Sequence, residues 1–112
     1  MSQITTHILN TSTGSPAPGV PVTLEQKLNG DWKIVSEGET DNDGRIKNLV
    51  SDEIKITPGI YKLVFDTKSY FEKQNIKTFY PSVNIEFEIT DGSHYHVPLL
   101  LNPFGYATYR GS

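Results

Sequence analysis

An apolar period of two constrains this chain more than anything else in it. Val83, Ile85, Phe87 and Ile89 alternate with Asn84, Glu86 and Glu88, and Tyr95, Val97, Leu99 and Leu101 alternate with His96, Pro98 and Leu100. Successive side chains on a pleated strand point to opposite faces, so this spacing gives each strand one buried and one outward face and fits no helix. Ile4, Thr6 and Ile8 repeat the pattern against Thr5, His7 and Leu9, and Val20, Val22 and Leu24 begin a further strand. The supply of residues agrees: 40 of the 112 are Val, Ile, Tyr, Phe, Trp or Thr, against two Ala and one Met, so strand formers outweigh the best helix formers.

Turn chemistry punctuates these strands. Asn10 to Gly19, with Pro16 and Pro18, reads as a loop. Asn29-Gly30 is the strongest hairpin signal, because a type I′ turn needs positive φ at both central residues, and it joins a strand ending near Leu28 to one beginning near Trp32. Asp41-Asn42-Asp43-Gly44 is a further turn. Its acidic spacing suggests a calcium loop, but the required twelfth-position Glu would fall on Val50, which excludes that reading. Gly59 to Asp66 reads as a strand, and Ser69-Tyr70-Phe71-Glu72 matches a capping box, which predicts a short helix from about Ser69 to Asn75. After a turn at Asn102-Pro103, the last segment is expected to place Phe104, Tyr106, Thr108 and Arg110 outward and the small Gly105 and Ala107, with Tyr109, inward. The whole describes a single all-β domain over 1–112, an antiparallel β-sandwich of about eight strands with one short helix.

Ten basic and thirteen acidic side chains leave a net charge of −3 without long runs, which removes the footprint of a nucleic-acid or anionic-membrane binder. No cysteine means no disulfide, thiol nucleophile or thiolate metal site, which fits a reducing compartment. The opening Met1-Ser2-Gln3-Ile4-Thr5-Thr6-His7 has neither a basic nor an apolar signal region, and no apolar run approaches membrane-spanning length, so a cytoplasmic protein is expected. Leu100, Phe104 and Tyr106 form an expected outward apolar set that a subunit interface would cover, with His7, His96 and Arg110 sharing the covered surface.

His94-Tyr95-His96 puts two imidazoles on one strand face, half of a zinc site, with His7 as a conceivable third ligand. A solvated strand face is the more common meaning of such a pair, and a neutral imidazole also suits general acid–base work near neutral pH. Arg45, taken alone, reads as a surface arginine that gains meaning only beside an anionic or carbonyl-rich substrate.

Blocks at both ends and in the middle carry a resemblance. His7-Ile8-Leu9-Asn10 with Thr13-Gly14 and Pro18-Gly19-Val20-Pro21-Val22, then Thr40-Asp41-Asn42-Asp43-Gly44-Arg45, then His94 to Pro103 and the terminal Tyr109-Arg110-Gly111-Ser112, resemble the transthyretin-related proteins. The terminal tetrapeptide resembles the hydrolase branch of that family, since the hormone carrier lacks it. Asn102 sits where Ser is common. The resemblance implies a transthyretin-like (prealbumin-like) sandwich that assembles as a homotetramer, a dimer of dimers, with active sites at the dimer–dimer interface. It also implies an enzyme of urate catabolism that hydrolyses the N1–C6 amide bond of 5-hydroxyisourate; no metal or other cofactor is expected, because the three histidines lack an evident fourth ligand. By position it carries catalytic roles onto His7, Arg45, His96 and Ser112 and substrate-binding roles onto His7, Arg45, Tyr109 and Arg110. His94 matches no catalytic position. Two rivals carry less weight: a carrier of small aromatic ligands in the same channel, whose passive apolar wall would not need His7, Arg45, His96 and the terminal tetrapeptide, and a β-sandwich adhesion or linker module, for which the sequence shows no repeats.

Overall fold

Alternation along the chain becomes two packed sheets in the computed structural model, which describes residues 2–112; Met1, the first residue of the expected domain, lies outside the described residues. The strands are β1 (Ile4–Asn10), β2 (Ser15–Pro16), β3 (Pro21–Leu28), β4 (Asp31–Glu39), β5 (Gly59–Phe65), β6 (Val83–Ile89), β7 (Tyr95–Asn102) and β8 (Gly105–Thr108), with one helix, α1 (Thr67–Glu72). One sheet has the order β2-β1-β7-β8 and the other β4-β3-β5-β6. Between them lie the inward residues of the period-two pattern: Ile4 and Ile8, Val22 and Leu24, Leu63 and Phe65, Val83 and Ile89, Leu99 and Leu101, each at most 2% exposed. Burying these side chains supplies the main stabilisation of the sandwich, at about 25 cal/mol per Å² of apolar surface. No helix among the described residues is long and apolar enough to cross a membrane.

The all-β sandwich matches the expected class, and Asn29 and Gly30 both take positive φ, 54° and 85°, between β3 and β4. One feature escapes alternation. β1 pairs with β7 in parallel, Thr5 beside His96 and His7 beside Pro98, while every other strand pair is antiparallel. Period two specifies faces and carries no strand direction.

Two expectations are corrected. The helix starts a residue pair earlier than the capping box suggested: Asp66 is the N-cap, its Oδ1 accepting from the Ser69 backbone N–H at 3.2 Å, and Ser69 lies inside the first turn. Asp66 stands three residues before Ser69, so its carboxylate reaches a free helical N–H that would otherwise lack a partner. The face of the last strand is also reversed. Leu99 pairs with Thr108, Leu100 with Ala107 and Leu101 with Tyr106, so Tyr106 and Thr108 follow the core-facing side of β7 and Ala107 follows Leu100 outward. The two-residue turn at Pro103 and Phe104 fixes this register by pairing Asn102 with Gly105, which alternation within the segment could not reveal. Tyr106 meets Tyr80 edge-on at 5.2 Å, and Phe104 stands exposed at the turn.

The cap makes a testable difference. Asp66→Ala should lower unfolding free energy in urea by about 1 kcal/mol, with Ser69→Ala costing clearly less; the reverse order would restore Ser69 as the cap.

Candidate functional site

The outward face of β1 and β7 gathers the chemistry. Thr5 and His7 project from β1, and His96 projects from β7, because each occupies the polar phase of an alternating strand. Beyond β1, the Asp41–Arg45 turn docks: Ile8 donates its N–H to Gly44 O at 2.9 Å, and Arg45 bridges His7 as an antiparallel neighbour. Beyond β7 the chain end returns, with Gly111 bridging His96 and donating its N–H to His96 O at 2.8 Å. Four backbone segments, remote in sequence, thus lie side by side.

They enclose a cavity of about 370 Å³ lined by Thr5, Thr6, Arg45, Ile46, His94, His96 and Ser112. His7 lies beside it without forming its wall, adjacent to Arg45 and Pro98. Arg45, His94 and Ser112 are exposed in the isolated protomer, and His96 is half-buried. A larger depression of about 470 Å³ lies against α1, lined by Lys68, Glu72, Asn75, Ile76, Lys77 and Thr78; it holds no imidazole, and size alone does not make it the site of chemistry. Among the described residues no three His, Cys, Asp or Glu side chains are grouped to hold a metal ion.

Tyr109 and Arg110 lie elsewhere in the protomer. They line a separate depression of about 260 Å³ with Ile85, Phe87, Tyr95 and Val97, and the Arg110 guanidinium sits 4.3 Å from the centre of the Tyr95 ring. The expectation that Arg110 shares the outward surface of His7 and His96 is therefore corrected, since Tyr95 belongs to the core-facing phase of β7.

Each site group is held by identifiable contacts. Asp41 Oδ1 accepts from the N–H groups of Asp43 and Arg45 at 2.9 and 3.1 Å, which fixes the turn that presents Arg45 and holds the Asp41 carboxyl below its usual range, the Arg45 N–H being the largest cause. Gly44 has φ of 74°, and a Cβ there would stand 2.5 Å from Ile8 O, so only glycine lets the turn lie against β1. At Gly111 a Cβ would stand 2.5 Å from His96 Cδ2, so the missing side chain lets the chain end close over the imidazole. Thr5 Oγ1 is hydrogen-bonded to His96 Nδ1 and to His94 Nε2, both at 2.8 Å. Thr5 and Gly111 carry no chemistry of their own that would single them out in a sequence; Gly44 was legible only as a turn residue.

Partial burial pushes the His96 imidazole below its ordinary pKa, with the neighbouring His94, Arg45 and His7 acting in the same direction and Thr5 opposing them. His96 therefore holds fewer protons folded than unfolded near its ordinary value of about 6.5. Its contribution to stability is complete above that pH and is lost as pH falls toward the folded midpoint.

Comparison with known proteins gives the relatives of the whole chain. The family model described as HIUase/Transthyretin matches residues 4–111. A protein of Salmonella typhimurium named 5-hydroxyisourate hydrolase is 49% identical over 110 residues, covering 97% of this chain and 80% of that protein. The solved structure of Klebsiella pneumoniae 5-hydroxyisourate hydrolase superposes with a TM-score of 0.83 at 35% identity, covering 100% of this chain and 94% of its own. Sea bream transthyretin in complex with thyroxine superposes with a TM-score of 0.91 at 32% identity, covering 97% and 94%.

An NMR titration checks the geometry around His96. The wild-type imidazole should titrate below about pH 6.5, and Gly111→Ala, by displacing the ring from its half-buried position, should raise that midpoint; an unchanged midpoint in the variant would mean that the chain end does not constrain His96.

Proposed function

The chain belongs to the HIUase/Transthyretin family, and from that premise we propose that it hydrolyses 5-hydroxyisourate at the N1–C6 amide bond, giving 2-oxo-4-hydroxy-4-carboxy-5-ureidoimidazoline. The observation that carries this reading is the convergence of Arg45, His96 and Ser112 on one cavity from three distant parts of the chain, in a protein 49% identical to a relative named for this activity. A carrier of small aromatic ligands on the same fold would be served by an apolar channel; this cavity is walled by imidazole, guanidinium and hydroxyl groups.

The chemistry follows from those groups. Water attacks C6, and the planar donors of the Arg45 guanidinium orient the carbonyl-rich ring and stabilise the oxyanion as it forms. His96, kept neutral by its surroundings, is suited to accept the proton of the attacking water. His7, beside Arg45, provides the second imidazole for proton transfer. Ser112 brings a hydroxyl to the cavity, where it positions water or substrate. No step calls for a metal or an organic cofactor.

We place the site between subunits of a homotetramer, a dimer of dimers, in the cytoplasm. Leu9, Leu100 and Ala107 are register neighbours on the outward sheet face, and the exposed Arg45 and Ser112 mark the rim of the same surface. In the protomer Tyr109 and Arg110 line a different depression, so their part in substrate binding depends on a subunit contact that brings the two together.

Following the decay of freshly generated 5-hydroxyisourate tests the activity directly. His7→Asn, His96→Asn and Arg45→Ala should each lower kcat/KM by about a hundredfold or more with little change in thermal midpoint, whereas wild-type rates in His7→Asn would remove it from the mechanism. Light scattering should give a tetramer mass, and Leu100→Asp should dissociate the assembly and abolish turnover together; a fully active monomer would sink the interfacial site. Activity should survive exhaustive chelation, and loss restored by zinc would return the His94-Tyr95-His96 pair to a metal role.

A further inference from the structure

One hydroxyl lies between two imidazoles. Thr5 and His96 are register partners across the parallel β1–β7 pair, and His94 stands two residues before His96 on the same face. Thr5 Oγ1 is 2.8 Å from His96 Nδ1 and 2.8 Å from His94 Nε2, with the two rings only 19° from parallel and their centroids 6.3 Å apart. A hydroxyl owns a single proton, so it can donate to one ring only and must accept an N–H from the other. Because Thr5 meets Nδ1 of one ring and Nε2 of the other, both neutral rings must then carry their proton on the same atom, both on Nδ1 or both on Nε2.

We propose that His94, Thr5 and His96 form a proton relay from the cavity to solvent, in which Thr5 and His94 are positioning residues that set whether His96 Nε2 serves as base or acid. This rests on the reading that His96 exchanges protons with the substrate. Both imidazoles line the cavity, but His96 is half-buried whereas His94 is exposed and can trade protons with bulk water.

The steps balance. With both protons on Nδ1, His96 Nε2 is a free lone pair and takes a proton from water as the oxygen–C6 bond forms. The His96 Nδ1 proton passes to Thr5 Oγ1, the Thr5 proton passes to His94 Nε2, and His94 releases its Nδ1 proton to solvent. His96 is now neutral with its proton on Nε2, and gives it to the departing nitrogen as the C6–N1 bond breaks while Thr5 passes its proton to His96 Nδ1, so the ring stays neutral throughout. In the same movement His94 Nε2 returns a proton to Thr5, and solvent restores His94 Nδ1. One proton has moved from water to nitrogen and every group is restored. The remaining titratable or charged side chains acting on His96 are Arg45 and His7, neither of which is hydrogen-bonded to the Thr5 hydroxyl among the described contacts.

Kinetics and imidazole 15N NMR on the full chain test this with Thr5→Val, Thr5→Ser, His94→Asn and the double variant Thr5→Val/His94→Asn. Val keeps the shape and strand preference of Thr while removing the hydroxyl, so the fold should persist. Thr5→Val and His94→Asn should each lower kcat about tenfold with KM within about twofold, the double variant should lose no more than either of these, and Thr5→Ser, which keeps the hydroxyl, should retain most of the rate. The pH profile should lose its dependence on His94 in Thr5→Val. In the wild type both rings should show the same tautomer and shift together, and Thr5→Val should uncouple them. Unlike tautomers in the wild type, multiplied losses in the double variant or an unaltered Thr5→Val would overturn the relay. Inactive wild-type protein would instead overturn the hydrolase reading, which the tautomer measurement, needing no substrate, leaves separable.

Discussion

Seven register pairs between β1 and β7, running from Ile4 beside Tyr95 to Asn10 beside Leu101, join the two ends of the chain in the middle of one sheet, and the candidate site depends on that seam. Slide β1 by a single residue against β7 and Thr5 no longer meets His96, while Ile4 and Ile8 leave the core together. The burial of Ile4, Ile8, Leu99 and Leu101, each at most 2% exposed, therefore enforces the alignment of polar groups on the opposite face. Core packing and site geometry are two sides of one pairing.

The seam is extended from both edges by backbone that has no regular structure of its own. On one side Asp41 and Gly44 fold the turn that delivers Arg45 to His7; on the other, Gly111 brings Ser112 over His96. Both approaches require a missing Cβ, with built distances of 2.5 Å to Ile8 O and to His96 Cδ2. The site is assembled from main-chain proximity as much as from side chains, and the two glycines belong to its architecture although neither has a functional group.

Much of this was legible before any coordinates. Period two assigned Thr5, His7, His94 and His96 to outward faces, and Asn29-Gly30 located a hairpin, because both signals are local consequences of strand and turn stereochemistry. The parallel sense of β1 and β7, the face of Tyr106 and the position of Arg110 were not legible, since each is decided by a partner strand or by the parity of a turn. The helix cap was missed for a different reason: Asp66 and Ser69 both satisfy the composition of a cap, and the choice between them depends on where β5 ends. Thr5 had no motif at all. A threonine on a strand is ordinary, and its importance comes from lying between His94 and His96 across a pairing that joins residues some 90 positions apart, the contact to His96 spanning 91.

The separation of faces explains how one fold can resemble proteins of different activity. This chain superposes on sea bream transthyretin with a TM-score of 0.91 and on a 5-hydroxyisourate hydrolase with 0.83, although its identity to the hydrolase is slightly higher, 35% against 32%. Backbone likeness measures the inward phase of the strands and their connections, which must be kept for the sandwich to bury its core. The outward phase is free of that demand, so imidazole, guanidinium and hydroxyl groups can be placed at Thr5, His7, Arg45, His96 and the chain end without displacing a core residue. On such a scaffold the outward positions of β1 and β7, and the two segments that close over them, can therefore change their chemistry while the inward phase that sets the superposition stays the same.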